Sequence, residues 1–219
     1  MINKQEIKKS ATGLKYLLYL PKGYSPHDPG KFPIIYFLHG AGERGDDPEL
    51  LKKHGIPKVI EERVDFPFIA VSPQCPISEY WSVGQLKDLI DETLKNLQPD
   101  KNKIYLTGIS MGGYGTWSLA GHYPDLFAAI IPVCGGGDPS HAYRIKEVPV
   151  WAFHGAKDYI VPLWESENMV NELKKAEGDV QLTIYPEAGH DSWTQTYDNT
   201  EIYEWLLSHK KTHNRTMHK

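Results

Sequence analysis

The chain has 219 residues, of which 40% are hydrophobic and 24% charged, and its 24 Lys and Arg against 28 Asp and Glu leave a net charge of −4. That length suits one domain with a substantial core, and the charge balance excludes an electrostatic nucleic-acid binder with a clustered basic face. The longest apolar stretches, such as 32–38, fall far short of the roughly 20 residues of a membrane span. Two cysteines, Cys75 and Cys134, are too few for a disulfide scaffold and read as small buried thiols beside strand ends. The opening Met1-Ile2-Asn3-Lys4-Gln5-Glu6 carries no apolar signal region, so the expected compartment is the cytoplasm, or the exterior if a leader was removed.

In chain order, residues 14–20 read as a strand ended by the turn Pro21-Lys22-Gly23-Tyr24. The run 32–38 stops at His39-Gly40, and the run 66–72 stops at Pro73. Residues 83–97 form a helix, with Leu86, Leu89, Ile90, Leu94 and Leu97 at helical spacing and Lys87, Asp88, Asp91, Glu92 and Lys95 on the other face. Short strands follow at 103–107 and 128–134, separated by a helix over 113–122. A strand at 148–153 precedes a helix at 164–175, and a strand at 180–185 precedes a last helix at 200–209. The polar, basic tail after about residue 209, with His213 and His218, is expected to fray rather than bind metal.

Strands apolar on both faces, alternating with helices, indicate an α/β fold with a mostly parallel central sheet flanked by helices on both faces. No linker or repeat divides the chain, so one domain over 1–219 is expected. In such sheets ligands bind at the carboxyl ends of the strands. His39, Ser110 and Asp158 fall at those ends, and His190 falls beyond the last strand.

Around Ser110 the chain reads Gly108-Ile109-Ser110-Met111-Gly112, a G-x-S-x-G spacing between a strand and a helix. A serine on so sharp a turn has a strained backbone, and bulky neighbours would clash, which calls for glycine on both sides. A serine hydroxyl also needs a base. His190, in Ala188-Gly189-His190-Asp191 after the last strand, fits better than His122, His141 or His209. The acid that orients the imidazole is Asp158, past the strand 148–153, with Asp138 as the rival; Ser, Asp and His then follow the chain order of the hydrolase template.

With these residues the chain resembles an α/β-hydrolase, in particular the small serine esterases grouped with dienelactone hydrolases, phospholipase/carboxylesterases and peptidase-like relatives. The resemblance rests on Leu38-His39-Gly40-Ala41-Gly42-Glu43-Arg44-Gly45, Gly108-Ile109-Ser110-Met111-Gly112-Gly113, His154-Gly155-Ala156-Lys157-Asp158 and Gly189-His190-Asp191-Ser192-Trp193. Within that group, the Gly-Glu-Arg-Gly loop and Trp193 look like feruloyl and acetyl-xylan esterases. The first oxyanion donor expected is the Met111 N–H, the residue after the nucleophile. The resemblance implies the Ala41 N–H as the second, with Gly42 as fallback.

On the substrate side, Tyr80, Trp81 and Trp193 are candidates for an aromatic wall. Arg44 is a candidate either for a salt-bridged loop with Asp46 and Asp47 or for contact with an acidic substrate group. His39 and His154 are expected to brace loops, and no metal-ligand spacing is present, so no metal and no cofactor are expected. Only residues 135–147 separate the strands where this fold usually inserts a lid, which leaves no room for a cap domain. The expected function is therefore a serine carboxylic-ester hydrolase (a carboxylesterase) acting on short or aromatic acyl esters, either small molecules or carbohydrate-linked, with neither nucleic acid nor membrane as partner. The alternatives are a peptidase or thioesterase with the same triad and, from another class, a non-catalytic small-ligand binding module.

Overall fold

A computed structural model describes residues 5–63 and 65–211. Its elements run β1 (Glu6–Lys9), β2 (Lys15–Tyr19), β3 (Ile34–Leu38), α1 (Gly55–Glu62), β4 (Ile69–Pro73), α2 (Val83–Leu97), β5 (Ile104–Ile109) and α3 (Met111–His122). They continue with β6 (Ala129–Val133), β7 (Val150–Gly155), α4 (Trp164–Lys175), β8 (Val180–Tyr185), α5 (Trp193–Asp198) and α6 (Glu201–Ser208). All eight strands join one sheet in the order β1-β2-β4-β3-β5-β6-β7-β8. Strands β1 and β2 run antiparallel to their neighbours and every later pair is parallel.

The continuous apolar runs follow from this burial. Along β3, Ile34, Tyr36 and Leu38 enter one core layer, while Ile35 and Phe37 enter the other. The first layer is closed by α2, α3 and α4 through Leu86, Leu89, Ile90, Trp117, Leu119, Met169, Val170 and Leu173. The second is closed by α1, α5 and α6 through Ile56, Val59, Ile60, Tyr197, Ile202, Tyr203 and Leu206. Helix α2 shows the expected amphipathic pattern, and Ser82 caps it by accepting from the Gln85 N–H at 3.4 Å.

The helices at 83–97 and 164–175 and the strand at 180–185 stand where the sequence puts them. Three elements were not expected. β1 is short, charged and wholly exposed, a polar edge paired with β2 alone. α1 opens Gly55-Ile56-Pro57, and proline within a first helical turn loses no intrahelical bond. α5 begins at Trp193, which was expected in a loop. Helix α3 also starts at Met111 rather than at 113, because the turn at Ser110 passes directly into it. Between β6 and β7 the chain makes only a short 3-10 helix, Pro139–Ile145, with no added layer. His213 and His218 lie outside the described residues.

Helix α5 is tied to the sheet by a buried hydroxyl pair. The Thr107 hydroxyl on β5 donates to Ile131 O at 2.6 Å, so the Tyr197 hydroxyl 2.7 Å away is the donor to Thr107. Tyr197→Phe removes that donor while Thr107 keeps its carbonyl partner. A loss of about 1 kcal/mol in denaturant-unfolding stability is expected, with the aromatic contact between Phe37 and ring 197 retained. A loss above about 3 kcal/mol would contradict this account of the contact.

Candidate active site

Ser110 directly follows β5 and holds φ 53° and ψ −116°, a conformation non-glycine residues rarely adopt. It is attainable because both flanking glycines are pressed against backbone. A Cβ on Gly108 would lie 2.3 Å from Gly112 O, and one on Gly112 would lie 1.9 Å from Leu38 O. The turn thus brings the start of α3 against the end of β3, which carries the loop with Ala41.

Two further loops converge on the serine. His190 lies on the loop between β8 and α5, with Nε2 at 3.0 Å from Ser110 Oγ, and Nδ1 bonded to Asp158 Oδ2 at 2.7 Å. The other carboxylate oxygen, Oδ1, accepts from the Ile160 and Val161 N–H groups, both at 2.9 Å. With Asp158 fixed as acceptor, Nδ1 is the protonated nitrogen and Nε2 presents its lone pair to the Ser110 hydroxyl. The acid and histidine loops are themselves joined, Ala156 N–H to Tyr185 O and Lys157 N–H to Ala188 O, each 2.9 Å. Asp138, the rival acid, is exposed and caps a 3-10 helix through the Ser140 N–H; the Ser140 hydroxyl first and its N–H second hold the carboxyl below its ordinary range. Asp191 is occupied by Thr194.

The amides of Ala41 and Met111 are each the first of a helix, a 3-10 turn at Ala41–Glu43 and α3, and neither is capped by the side chain before it. First-turn amides have no intrahelical acceptor, so both are free to meet an oxyanion. A Cβ on Gly40 would sit 3.6 Å from that of Ser110, which sets the Ala41 turn beside that serine.

Next to Ser110 opens a mainly apolar hollow of about 440 Å³, lined by Tyr80, Trp81, Met111, Tyr114, Gly115 and Ser118. Trp81 is held rigidly: its indole N–H donates to His39 O at 3.2 Å, and its ring meets the His39 imidazole edge-on at 4.8 Å. His39 in turn accepts from the Cys75 N–H and donates to Gly40 O, and burial pushes its pKa down to about 4, so it acts as a neutral brace. A larger hollow of about 710 Å³ near Gly30 and Asp100 borders no residue of this cluster.

The structure does not bring Trp193 or Arg44 to the hollow. Trp193 backs the histidine instead, edge-on to His190 at 5.3 Å, with its indole N–H on His54 Nδ1 at 3.3 Å. Arg44 does not pair with Asp46 or Asp47. It donates to Ala41 O and Glu79 O and lies over the Tyr80 ring, while Asp46 pairs with Lys15. Three supporting residues escaped the sequence reading or were under-read. His54 links Trp193 to Glu43, whose carboxyl is raised by burial and lowered by His54. Tyr114 on α3 walls the hollow, three residues and one turn past Met111. His154 does brace a loop, through Val161 O and Ser166, but also approaches Asp158 Oδ2 at 3.4 Å; its place four residues before the acid was the available signal.

The sequence profile of the dienelactone hydrolase family matches residues 76–214, well over half the chain. The chain belongs to this family. A Salmonella typhimurium protein provisionally named a carboxymethylenebutenolidase is 30% identical over 100 residues, 42% of this chain and 37% of its own length. A bifunctional acetylxylan esterase/xylanase of Neocallimastix patriciarum is 21% identical over 210 residues, 90% of this chain and 29% of that protein. Among solved structures, a thermostable esterase superposes with a TM-score of 0.81 at 34% identity, covering 96% of this chain and 64% of that one. The chain therefore spans little over a third of the first of these curated relatives. Membership and superposition agree with the eight-stranded, mostly parallel sheet in identifying an α/β-hydrolase fold, and among the described residues no helix is long and apolar enough to cross a membrane.

In this dienelactone hydrolase family member the turn at Ser110 tolerates no side chain at Gly112. Gly112→Ala is expected to cost about 3 kcal/mol or more, or to prevent folding, because the intruding atom meets backbone. Gly42→Ala, where a Cβ meets nothing within 4 Å, should leave the melting temperature near that of the parent. Comparable melting temperatures for both variants, measured by circular dichroism, would refute the packing argument.

Proposed function

We propose that this chain is a serine hydrolase of carboxylic esters, acting through Ser110, His190 and Asp158. The observation that carries the reading is the unbroken hydrogen-bond relay from the Ser110 hydroxyl, which lines an open apolar hollow, through His190 to a buried carboxylate.

The chemistry runs in two halves. His190 Nε2 takes the Ser110 proton as Oγ attacks the ester carbonyl, and Asp158 steadies the resulting imidazolium. The tetrahedral oxyanion is met by the Met111 and Ala41 amides, each such donor being worth about 3–4 kcal/mol of transition-state stabilisation. His190 then returns the proton to the departing alcohol, leaving the acyl group on Ser110. Water, deprotonated by the same nitrogen, attacks the acyl-enzyme and releases the acid. Every proton is carried by His190, so this cycle requires no cofactor.

On this reading the substrates are short or aromatic acyl esters, carbohydrate-linked esters among them. The hollow is walled by three aromatic rings, Tyr80, Trp81 and Tyr114, and is not covered by a layer between β6 and β7. Flat or short acyl groups fill such a space, whereas a long alkyl chain leaves much of its length in water. The acetylxylan esterase relative supports the carbohydrate-linked class.

A stoichiometric burst of p-nitrophenol is expected from p-nitrophenyl acetate, with Ser110→Ala slowing turnover at least about 10³-fold. Asp158→Asn should lower kcat by about 10⁴-fold, by presenting the wrong imidazole tautomer, and Asp138→Asn by less than about twofold. Equal losses from the two Asn variants would overturn the choice of acid. Across a panel of p-nitrophenyl esters, methyl ferulate and acetylated xylan, kcat/KM should fall with increasing alkyl length; a preference for the longest chains would sink the substrate assignment.

A further inference from the structure

Beneath the histidine lies a group that the proposed ester chemistry leaves unused. Cys134 directly follows β6, and its side chain is fully buried. Its Sγ, an Asp158 carboxylate oxygen and a ring nitrogen of His190 all lie within 4.8 Å of one another. The nitrogen facing Asp158 is Nδ1. One sulfur, one imidazole nitrogen and one carboxylate oxygen make a ligand set suited to zinc and similar soft divalent cations.

We propose that Cys134, Asp158 and His190 form a binding site for a zinc-class divalent cation, which switches the serine centre off when filled.

The distances allow it. Tetrahedral zinc, with bonds of about 2.3 Å to sulfur and about 2.0–2.2 Å to nitrogen and oxygen, sets its ligand atoms roughly 3.3–3.6 Å apart. The Asp158 and His190 atoms, now 2.7 Å apart, open by somewhat over half an ångström, and the sulfur closes by about 1.2 Å or less.

A second observation points to the same place. Ser192 Oγ is fully buried, and no hydrogen-bond partner is found for it among the described residues. Its hydroxyl faces the Cys134 sulfur without an acceptor of conventional geometry. An unsatisfied buried hydroxyl is costly. A metal-bound thiolate gives Ser192 an acceptor that the neutral thiol serves poorly.

The proton balance explains the inhibition. On binding, the Cys134 thiol releases its proton to solvent. The cation takes the Nδ1 lone pair, so the ring proton moves to Nε2. That nitrogen then points a proton, not a lone pair, at Ser110 Oγ, and the nucleophile has no base. Asp158 gives up its hydrogen bond from His190 for the cation.

Cobalt(II) added to the full chain is expected to give a near-ultraviolet thiolate-to-cobalt charge-transfer band at one ion per chain. Zinc should bleach the band by competition, and Cys134→Ala should lack it; Cys134→Ser, a one-atom change, serves the same comparison if the alanine variant fails to fold. Zinc at a saturating level should slow p-nitrophenyl acetate turnover at least about tenfold, reversibly with a chelator, and slow Cys134→Ala by less than about twofold. No band, a band of equal strength in a folded variant, or equal inhibition of parent and variant would each overturn the proposal. The inhibition arm rests on the ester-hydrolase reading, whereas the cobalt band does not, so failure of one is distinguishable from failure of the other.

Discussion

The bend at Ser110 is the constraint on which the rest of the site depends. A residue held at positive φ with a side chain costs on the order of 1–3 kcal/mol, and that strain persists only where the surroundings over-determine it. Here they do. Gly108 and Gly112 close onto each other and onto Leu38 O with no room for a Cβ, and the Ser110 N–H is fixed to Val133 O at 3.0 Å. Three adjacent strands, β3, β5 and β6, therefore grip one turn. The same packing starts α3 at Met111 and brings the Ala41 turn alongside Ser110, so on the proposed reading the nucleophile and both oxyanion donors depend on one backbone feature.

The remaining partners are held by other means. Asp158 and His190 ride on loops, and loops are mobile unless tied. These two are bonded to each other by main-chain groups, and each is backed by a further histidine, His154 behind the acid and His54 behind Trp193 and so behind the base. The aromatic wall of the hollow reaches solvent, with Tyr80 largely exposed and Trp81 anchored.

Much of this was legible in the sequence because two signals are strong there. Helical periodicity over Leu86, Leu89 and Ile90 is unambiguous, and so are strands apolar on both faces. Glycines at fixed offsets from Ser110, followed by an acid and a histidine after later strands, imply one geometry. What stayed hidden lacked such signals. Helix α5 has six residues and buries Thr196 and Tyr197 rather than an aliphatic stripe, β1 has a single apolar residue, Ile7, among charged ones, and α1 begins with turn residues. The hydrogen-bond partners of Arg44 are backbone carbonyls, which no side-chain pattern can announce. Trp193 was placed near His190 from sequence, but whether it faces a ligand or backs the ring depends on a helix start that a lone tryptophan does not mark.

The central claim is that Ser110 is the activated nucleophile of this fold. The most direct measurement is covalent trapping with a fluorophosphonate, read by intact mass and peptide mapping. The account predicts one adduct per chain, on the peptide containing Ser110, and a labelling rate that collapses when His190 is replaced by alanine. No adduct, or an adduct on another serine at a rate indifferent to His190, would contradict it.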